Sequence, residues 1–248
     1  MEKKLYEGKA KIIYSTDDPN VLLTEFKDDA TAFNAQKRGT IERKGEINCK
    51  ISSVLFQLLE KKGIATHYIE QPSPKQMRVT AVTILPLEVV VRNIAAGSLC
   101  RETGLEEGTN LPFPLVEFYY KKDELGDPLL TRDRILILNL ATLNQLEQLQ
   151  TKALAINTHL KTFFSDCDIT LVDFKLEFGL DAEENLLLAD EISPDTCRLW
   201  DQSQSTDPKA RVMDKDRFRK DLGNVENAYQ EVQTRILSQF QLTINNEQ

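Results

Sequence analysis

The sequence lacks several features that would assign it to common protein classes. No apolar run approaches the roughly 20 residues that a membrane helix needs. The charged start, Met1–Glu7, leads into strand-like sequence without the apolar region of a signal peptide. Internal repeats and low-complexity tracts are also missing. We therefore expect a cytoplasmic protein that does not associate with a membrane.

Cysteine and histidine are scarce. Four cysteines and two histidines are scattered along 248 residues without a C-x-x-C pair. Neither a disulfide framework nor a structural zinc site is therefore expected. Neither histidine falls in the charged segments described below, which disfavours catalysis by a histidine base or a Ser-His-Asp triad. Cys197, beside Arg198, is interpreted as a packed, inert thiol rather than an activated one.

The overall composition is that of an ordinary globular protein, with 41% hydrophobic and 28% charged residues. The formal net charge is −8. A general nucleic-acid-binding protein would normally carry a cationic surface, so no nucleic-acid partner is expected. Anionic small substrates remain compatible, because a local cluster of Arg and Lys can set the field inside one cleft.

Apolar periodicity predicts strands and helices without regular βαβ alternation, which indicates an α+β protein. Helices are expected where apolar residues recur three or four positions apart, at about 46–62, 143–164 and 224–240. Strands are expected at 4–14 (broken by Gly8), 21–26, 66–70, 77–85, 87–94, 115–121, 169–180 and 185–192. The change of character after Pro86 predicts two units, residues 1–85 and 86–248.

A glycine turn followed by two lysines lies between the first two predicted strands. Gly8 lets the backbone approach an anion closely, and Lys9 and Lys11 would neutralise its charge. No G-x-x-x-x-G-K-[ST] loop occurs. The segment is instead compatible with a glycine flap and strand lysine of the kind that protein kinases place over ATP phosphates. Taken alone, an ordinary hairpin with solvated lysines is the more common alternative.

One predicted strand carries charged residues at alternate positions. The strand period places Asp173, Lys175 and Glu177 on one face, with apolar residues on the other. A turn centred at 183–184 would put Asp190 opposite Glu177, where two carboxylates repel unless a cation joins them. Mg²⁺ bound by these acids and by nucleotide phosphates fits this arrangement. A charged outer face, with Lys175 pairing to both acids, is the alternative.

Basic residues cluster after this hairpin and at the end of an earlier strand. Arg198 and Arg219 carry guanidinium groups, which suit bidentate contact with phosphate or carboxylate. Surface ion pairing is the alternative interpretation. Arg92 ends an apolar strand, where its charge would be poorly solvated without an anion. Ser98, after Gly97, could offer a hydroxyl and a backbone N–H to a phosphate.

Eight motifs, in this order, give the chain its resemblance to a known family. They are YEGKAKIIY (6–14), KGEINCKIS (44–52), VVRNIAAGS (90–98), ETGL (102–105), EFYYKKDELGDP (117–128), LVDFKLEFG (171–179), DEISPDTCRLWD (190–201) and DKDRFRKDLG (214–223). Along nearly its whole length the sequence resembles the SAICAR synthetase family. Ala35 stands where the family pattern predicts glycine, and Cys49 where it predicts a second asparagine.

The resemblance implies an α+β fold with a small β-rich ATP-covering N-terminal lobe and a larger α+β lobe, related to ATP-grasp and kinase-like folds. It implies a homodimeric ligase of purine (IMP) biosynthesis. That ligase joins CAIR, the 4-carboxylate of aminoimidazole ribonucleotide, to L-aspartate. Mg-ATP is consumed through an acyl phosphate, and the products are SAICAR, ADP and phosphate. A small-molecule kinase or a non-catalytic nucleotide-binding module is the alternative.

The resemblance also implies roles for individual residues. The expected ATP-phosphate ligands are Gly8, Lys9 and Lys11, and the expected Mg²⁺ ligands are Glu177 and Asp190. The ribonucleotide phosphate is expected at Arg92, Ser98, Arg198 and Arg219. The imidazole end of CAIR is expected at Asp173 and Lys175, and aspartate at Lys121 and Asp127. The expected catalytic residues are Lys11, Lys175 and Asp173.

Overall fold

The computed structural model describes residues 3–32, 36–204 and 206–246. The departure from the family pattern at Ala35 lies outside these residues. Two antiparallel sheets and six α-helices account for most of the described chain, so the α+β fold class is confirmed. No described helix combines the length and the hydropathy needed to cross a membrane.

The first 80 residues supply one sheet, one separate hairpin and one long helix. Their elements are β1 (Lys4–Glu7), β2 (Lys11–Ser15), β3 (Val21–Phe26), β4 (Asp29–Ala32), β5 (Lys37–Thr40), α1 (Lys44–Lys61), β6 (Tyr68–Ser73) and β7 (Gln76–Thr80). The sheet has the order β1-β2-β3-β7-β6, and β4 and β5 pair only with each other. The predicted break at Gly8 between the first two strands is confirmed.

The rest of the chain supplies the second sheet and the remaining helices. Its elements are β8 (Thr83–Ile94), α2 (Ser98–Thr103), β9 (Asn110–Tyr120), β10 (Leu129–Leu130), α3 (Arg132–Ile137), α4 (Leu143–Ser165), β11 (Ile169–Leu180), β12 (Leu186–Ala189), β13 (Cys197–Asp201), α5 (Asp216–Arg219) and α6 (Val225–Asn246). Strand β11 is central to this sheet, because β8 pairs along one side and β12 and β13 share the other.

The predicted strand from 77 to 85 is wrong. Strand β7 ends at Thr80, and β8 then runs from Thr83 through Pro86 to Ile94 without a break. Proline has no N–H to donate to a ladder, so it is tolerated only where pairing is interrupted. The ladder between β8 and β11 is irregular between Ile84 and Glu88, which accommodates Pro86.

One hydrophobic core runs beneath both sheets. Helix α1 contributes buried apolar residues at helical spacing, including Ile47, Ile51 and Leu55, and it packs against α6 as well as against the first sheet. Gly63, with φ at 81°, lies just past the end of α1, where the left-handed region favours glycine. Residues from both predicted units belong to this one core. A division into lobes near residue 85 stays a prediction.

Helix α4 covers one face of the second sheet. It begins with a capping box formed by Thr142 and Gln145. On β8, Asn93 exchanges side-chain hydrogen bonds of 2.8 and 3.0 Å with Asn157 on α4. Strand side chains alternate between the two faces of a sheet. The residues of β8 that alternate with Asn93, namely Glu88, Val90 and Arg92, therefore point away from α4.

Candidate functional site

A cavity of about 750 Å³ lies between the two sheets. Apolar residues of the first sheet form one wall, among them Ile13, Leu22 and Val79. The face of β8 and β11 opposite α4 forms the other wall. All thirteen residues predicted for the site line this cavity, and they are Gly8, Lys9, Lys11, Arg92, Ser98, Lys121, Asp127, Asp173, Lys175, Glu177, Asp190, Arg198 and Arg219.

The alternation on β11 brings its three charged residues to the cavity wall. Asp173, Lys175 and Glu177 all line the cavity, while the intervening apolar positions are buried. The predicted register of the hairpin is wrong by one residue, because Glu177 lies opposite Ala189 rather than Asp190. Asp190 follows the end of β12 with a φ of 61°. This left-handed residue interrupts the strand alternation, and its carboxylate still meets Lys175 beside Glu177.

Lysines and carboxylates alternate around the ends of β11 and β12. Lys175 contacts Glu177, and its Nζ lies 3.2 Å from Asp190 and 3.3 Å from Glu88. Lys11 contacts Asp190 and lies 3.0 Å from Glu191. Lys121 also contacts Glu177. We call this group the lysine–carboxylate cluster, and its members are Lys11, Glu88, Lys121, Lys175, Glu177, Asp190 and Glu191.

The close pairing keeps Lys11, Lys175 and Asp190 charged although burial opposes their charges. Burial disfavours the ammonium form, but Asp190 and Glu191 raise the pKa of Lys11 above its usual value. Burial likewise opposes the charge on Lys175, yet Asp190, Glu177 and Glu88 raise its pKa. For Asp190, Lys11 and Lys175 outweigh burial and lower the pKa of the carboxyl. Within the cluster, Lys11 and Lys175 therefore stay cationic and Asp190 stays anionic at neutral pH.

The carboxylate oxygens of the cluster suit a hard divalent cation whose coordination shell is completed by phosphate oxygens. Mg²⁺ is usually held by one or two carboxylates together with water and substrate phosphates, and Glu177 and Asp190 would supply such oxygens. Within the described residues, no three His, Cys, Asp or Glu side chains are arranged to hold a metal by themselves. A cation at this position would therefore depend on ligands that the nucleotide brings.

Two residues before Lys175 on β11, the register of β8, β11 and β13 places a row of opposite charges. Asp173 lies directly between Arg92 on β8 and Arg198 on β13. Its Oδ2 accepts hydrogen bonds from Arg92 Nη1 at 2.8 Å and from Arg198 Nη1 at 2.6 Å. Asp216 extends the row, because it accepts from Arg198 Nε at 3.1 Å and from Arg219 Nη1 at 2.7 Å. We call these five residues the arginine–aspartate ladder.

Small residues beside the ladder leave room for a ligand and for the guanidinium groups. A Cβ on Gly97 would lie 2.5 Å from Arg198 Nη2, so a side chain here would displace the Arg198 guanidinium group. The φ of Gly97 is 59°, which also favours glycine. The next residue, Ser98, accepts a hydrogen bond of 2.8 Å from Arg92 Nη2. Arg92 is further held by Glu117 at 2.7 Å and by the hydroxyl of Tyr119 at 3.1 Å.

The remaining predicted residues lie towards the mouth of the cavity. Lys9 pairs with Asp123 at 2.7 Å, and both side chains are exposed. Gly8 opens the turn between β1 and β2. Asp127 has a φ of 49° and accepts a hydrogen bond of 2.8 Å from the backbone of Lys122. Asp127 and Lys121 therefore flank the cavity near the end of β9.

Glu88 and His67 are among the lining residues that the sequence analysis missed. Glu88 shares the strand face of Val90 and Arg92, so alternation on β8 was a usable signal for it. His67 precedes β6 in a segment without any motif, so no sequence signal identified it. Burial, and then repulsion by Lys11, lower the pKa of His67 to about 3. A histidine that stays neutral in this way cannot act as a base that takes up a proton at pH 7.

The buried cysteines are not activated. All four are free, and Cys49, Cys167 and Cys197 are buried. Cys197 lines the cavity, but burial raises the pKa of its thiol well above the usual value. Cys49, which departs from the family pattern, lies in α1 outside the cavity lining, and burial raises its pKa to about 12. These thiols are therefore protonated and unreactive.

Comparison with known proteins gives the family. The model of the SAICAR synthetase family matches residues 4–236, and the chain belongs to this family. Its relatives carry the name phosphoribosylaminoimidazole-succinocarboxamide synthase. That of Trichormus variabilis is 66% identical over 242 residues, which is 98% of each chain. That of Trichodesmium erythraeum is 69% identical over 236 residues, covering 95% of this chain and 97% of the relative.

Solved structures agree with this assignment. The synthase from Ehrlichia chaffeensis is 46% identical and superposes with a TM-score of 0.90, over 94% of this chain and 98% of that chain. A SAICAR synthetase in complex with ADP is 45% identical, with a TM-score of 0.88, over 93% of this chain and 96% of that chain. The family is one of ligases in purine biosynthesis.

The neutral state of His67 predicts a pH dependence of stability. In the folded chain the pKa is about 3, whereas an unfolded histidine titrates near 6.5. The unfolded chain therefore binds more protons below pH 6.5, and the folded state loses stability as the pH falls. From pH 6.5 to 5.5 the free energy of unfolding should decrease by about 1 kcal/mol through this residue.

Urea denaturation of the wild type and of His67→Gln at both pH values measures this contribution. His159, substituted in the same way, serves as the control, because no cavity contact depends on it. An identical pH dependence in the wild type and in His67→Gln would contradict the prediction.

Proposed function

We propose that this chain is an ATP-dependent ligase that joins CAIR to L-aspartate and produces SAICAR, ADP and phosphate. The proposal rests on one observation. Asp173 and Lys175, two residues apart on one face of β11, belong to the arginine–aspartate ladder and to the lysine–carboxylate cluster respectively. A ligand phosphate at the ladder and a nucleotide phosphate at the cluster would thus meet over β11. The relatives named phosphoribosylaminoimidazole-succinocarboxamide synthase and the family structure in complex with ADP support the proposal.

The first chemical step follows from the substrates. A carboxylate is a poor electrophile, because oxide would have to leave. Attack by a carboxylate oxygen of CAIR on the γ-phosphorus of ATP forms an acyl phosphate and breaks the bond to ADP. Charge on the transferred phosphoryl group is spread over its oxygens, so positioning and electrostatic stabilisation dominate catalysis. We assign that stabilisation to Lys11 and Lys175.

The second step forms the amide. The amine of aspartate attacks the acyl carbon, the C–N bond forms, and inorganic phosphate leaves with the electron pair of the C–O bond. The nitrogen loses a proton to complete the reaction. We assign the binding of aspartate to Lys121 and Asp127, at the mouth of the cavity, where a cation and an anion suit the two ends of an amino acid. No enzyme nucleophile is required.

Ligand binding would exchange partners within the cluster. In this structure Lys11 and Lys175 pair with Asp190, Glu177 and their neighbours. We propose that Glu177 and Asp190 bind Mg²⁺, which would neutralise phosphate charge, and that the lysines then turn to the phosphates together with Lys9 and the Gly8 backbone. Each charge keeps a partner throughout, which avoids the cost of an unpaired buried charge.

Product analysis tests the proposed function. Incubation with Mg-ATP, CAIR and L-aspartate should yield SAICAR and inorganic phosphate in equal amounts, whereas omission of aspartate should suppress phosphate release. A small-molecule kinase would leave a phosphorylated product instead. Tight ATP binding without turnover for any substrate pair would identify a nucleotide-binding module. Either of these results would overturn the proposal.

Substitution of the proposed metal ligands should lower turnover. Glu177→Gln or Asp190→Asn should reduce kcat on the order of 100-fold, as for loss of one electrostatic contact in a transition state. The fold should persist, because in each variant Lys175 still pairs with the two carboxylates that are not substituted. Glu60→Gln is the matched control, since Glu60 bonds to Thr66 outside the cavity lining. Near-wild-type turnover of both variants at ordinary Mg²⁺ would refute the metal assignment.

We propose further that the enzyme is a cytoplasmic homodimer. The exposed apolar side chains of residues 86–248 are the candidates for the interface, and they include Phe113, Leu129, Ile137 and Leu138. Sedimentation equilibrium should then give about twice the chain mass of 28.3 kDa. The substitution Ile137→Glu should shift the mass towards that of the monomer, whereas a wild-type monomer at micromolar concentration would contradict the proposal.

A further inference from the structure

Asp216 is a buried carboxylate that contacts the site without lining it. It is 4% exposed and lies at the start of α5, and it is not among the cavity-lining residues. Its own N–H donates to Asp214 Oδ1 at 2.7 Å. Because the backbone is fixed in this way, the position of the Asp216 carboxylate is set by the fold and not by a ligand.

The two oxygens of this carboxylate hold two arginines from different elements. Oδ2 accepts from Arg198 Nε on β13, and Oδ1 accepts from Arg219 Nη1 on α5. Both guanidinium groups line the cavity. Charge-assisted hydrogen bonds to a planar guanidinium fix its orientation as well as its position. The nitrogens that do not face Asp216 are thereby left to contact Asp173 or a ligand.

We propose that Asp216 is a positioning residue that orients the guanidinium groups of Arg198 and Arg219 towards the phosphate of the ribonucleotide substrate. The inference rests on the proposed function for the identity of that substrate. Asp216 itself would not touch the ligand. Its contribution would be to hold two guanidinium groups in advance, so that little side-chain freedom is lost on binding.

A simpler role for Asp216 predicts the opposite result. If the carboxylate only neutralised excess positive charge, its removal would strengthen the positive field in the cavity, and an anion would bind more tightly. If the carboxylate orients the two arginines, its removal would weaken binding, because Arg219 would lose its hydrogen bond to Asp216 and Arg198 would keep only the one to Asp173. The sign of the change therefore separates positioning from neutralisation.

The isosteric substitution Asp216→Asn tests the proposal by steady-state kinetics. We expect the KM for CAIR to rise by about tenfold or more, since misaligned binding groups are costly. The kcat and the KM for ATP should change by less than about threefold, because the lysine–carboxylate cluster is untouched. A lower KM for CAIR, or equal losses for all substrates, would overturn the proposal.

Asp201→Asn is the matched control. Asp201 is also a partly buried aspartate that pairs with an arginine, Arg235 at 3.1 Å, but neither residue lines the cavity. The KM for CAIR should stay at the wild-type value in this variant. Thermal melts of both variants separate a general loss of folding from a specific loss of binding.

A double substitution shows which residue transmits the effect. In an Arg219→Leu background, Asp216→Asn should raise the KM for CAIR by a smaller factor than in the wild type, because one of its two targets is gone. Equal factors in both backgrounds would show that Asp216 does not act through Arg219, and this part of the proposal would fall.

Calorimetry with ribose 5-phosphate makes the test independent of catalysis. Its affinity should fall in Asp216→Asn and stay constant in Asp201→Asn. If the wild type forms no SAICAR but this pattern holds, the proposed reaction is wrong and the role of Asp216 stands. If the wild type forms SAICAR but the affinity is unchanged in Asp216→Asn, the role of Asp216 is wrong and the reaction stands.

Discussion

The structure depends on one constraint, which is that every charge on the cavity face of β11 must have a partner. Asp173, Lys175 and Glu177 stand on a strand whose other face is packed into the core, and an unpaired charge there would be costly. The neighbouring strands meet the constraint through register. Arg92 and Arg198 flank Asp173, and Asp190 and Glu88 approach Lys175. The strand pairing that builds the sheet therefore also provides the partners of the charged site residues on β11.

The cavity is thus polarised along β11. The members of the arginine–aspartate ladder that line the cavity are three arginines and one aspartate, whereas the lysine–carboxylate cluster lines it with three lysines and four acidic residues. The ladder end favours an anion, and the cluster end favours a cation that arrives with its own anionic ligands. This difference explains how a chain with a net charge of −8 can recruit phosphorylated small molecules, because the local field and not the net charge decides what enters.

Much of this arrangement was predictable from short-range periodicity. Alternation on β11 identified the cavity face, and helical spacing located α1 and α4 to within a few residues. The motifs identified thirteen residues that share one cavity. Other features depend on long-range packing and were not predictable. Pro86 lies within a continuous strand, where pairing with β11 is irregular. His67 reaches the cavity because the segment before β6 pairs with β12, and its N–H donates to the Leu188 carbonyl at 2.8 Å. Asp216 lies inside the motif at 214–223, but spacing did not predict its contact with Arg198, which lies 18 residues earlier.

The left-handed backbone at Asp190 has a consequence for sequence variation. Asparagine and aspartate adopt this conformation more readily than most residues, and β-branched residues adopt it least readily. Glutamate would carry its carboxylate one methylene farther from the backbone, so its oxygens would not take the positions that now contact Lys11 and Lys175. The short side chain of Asp190 therefore suits both the left-handed backbone and the narrow space between the two lysines.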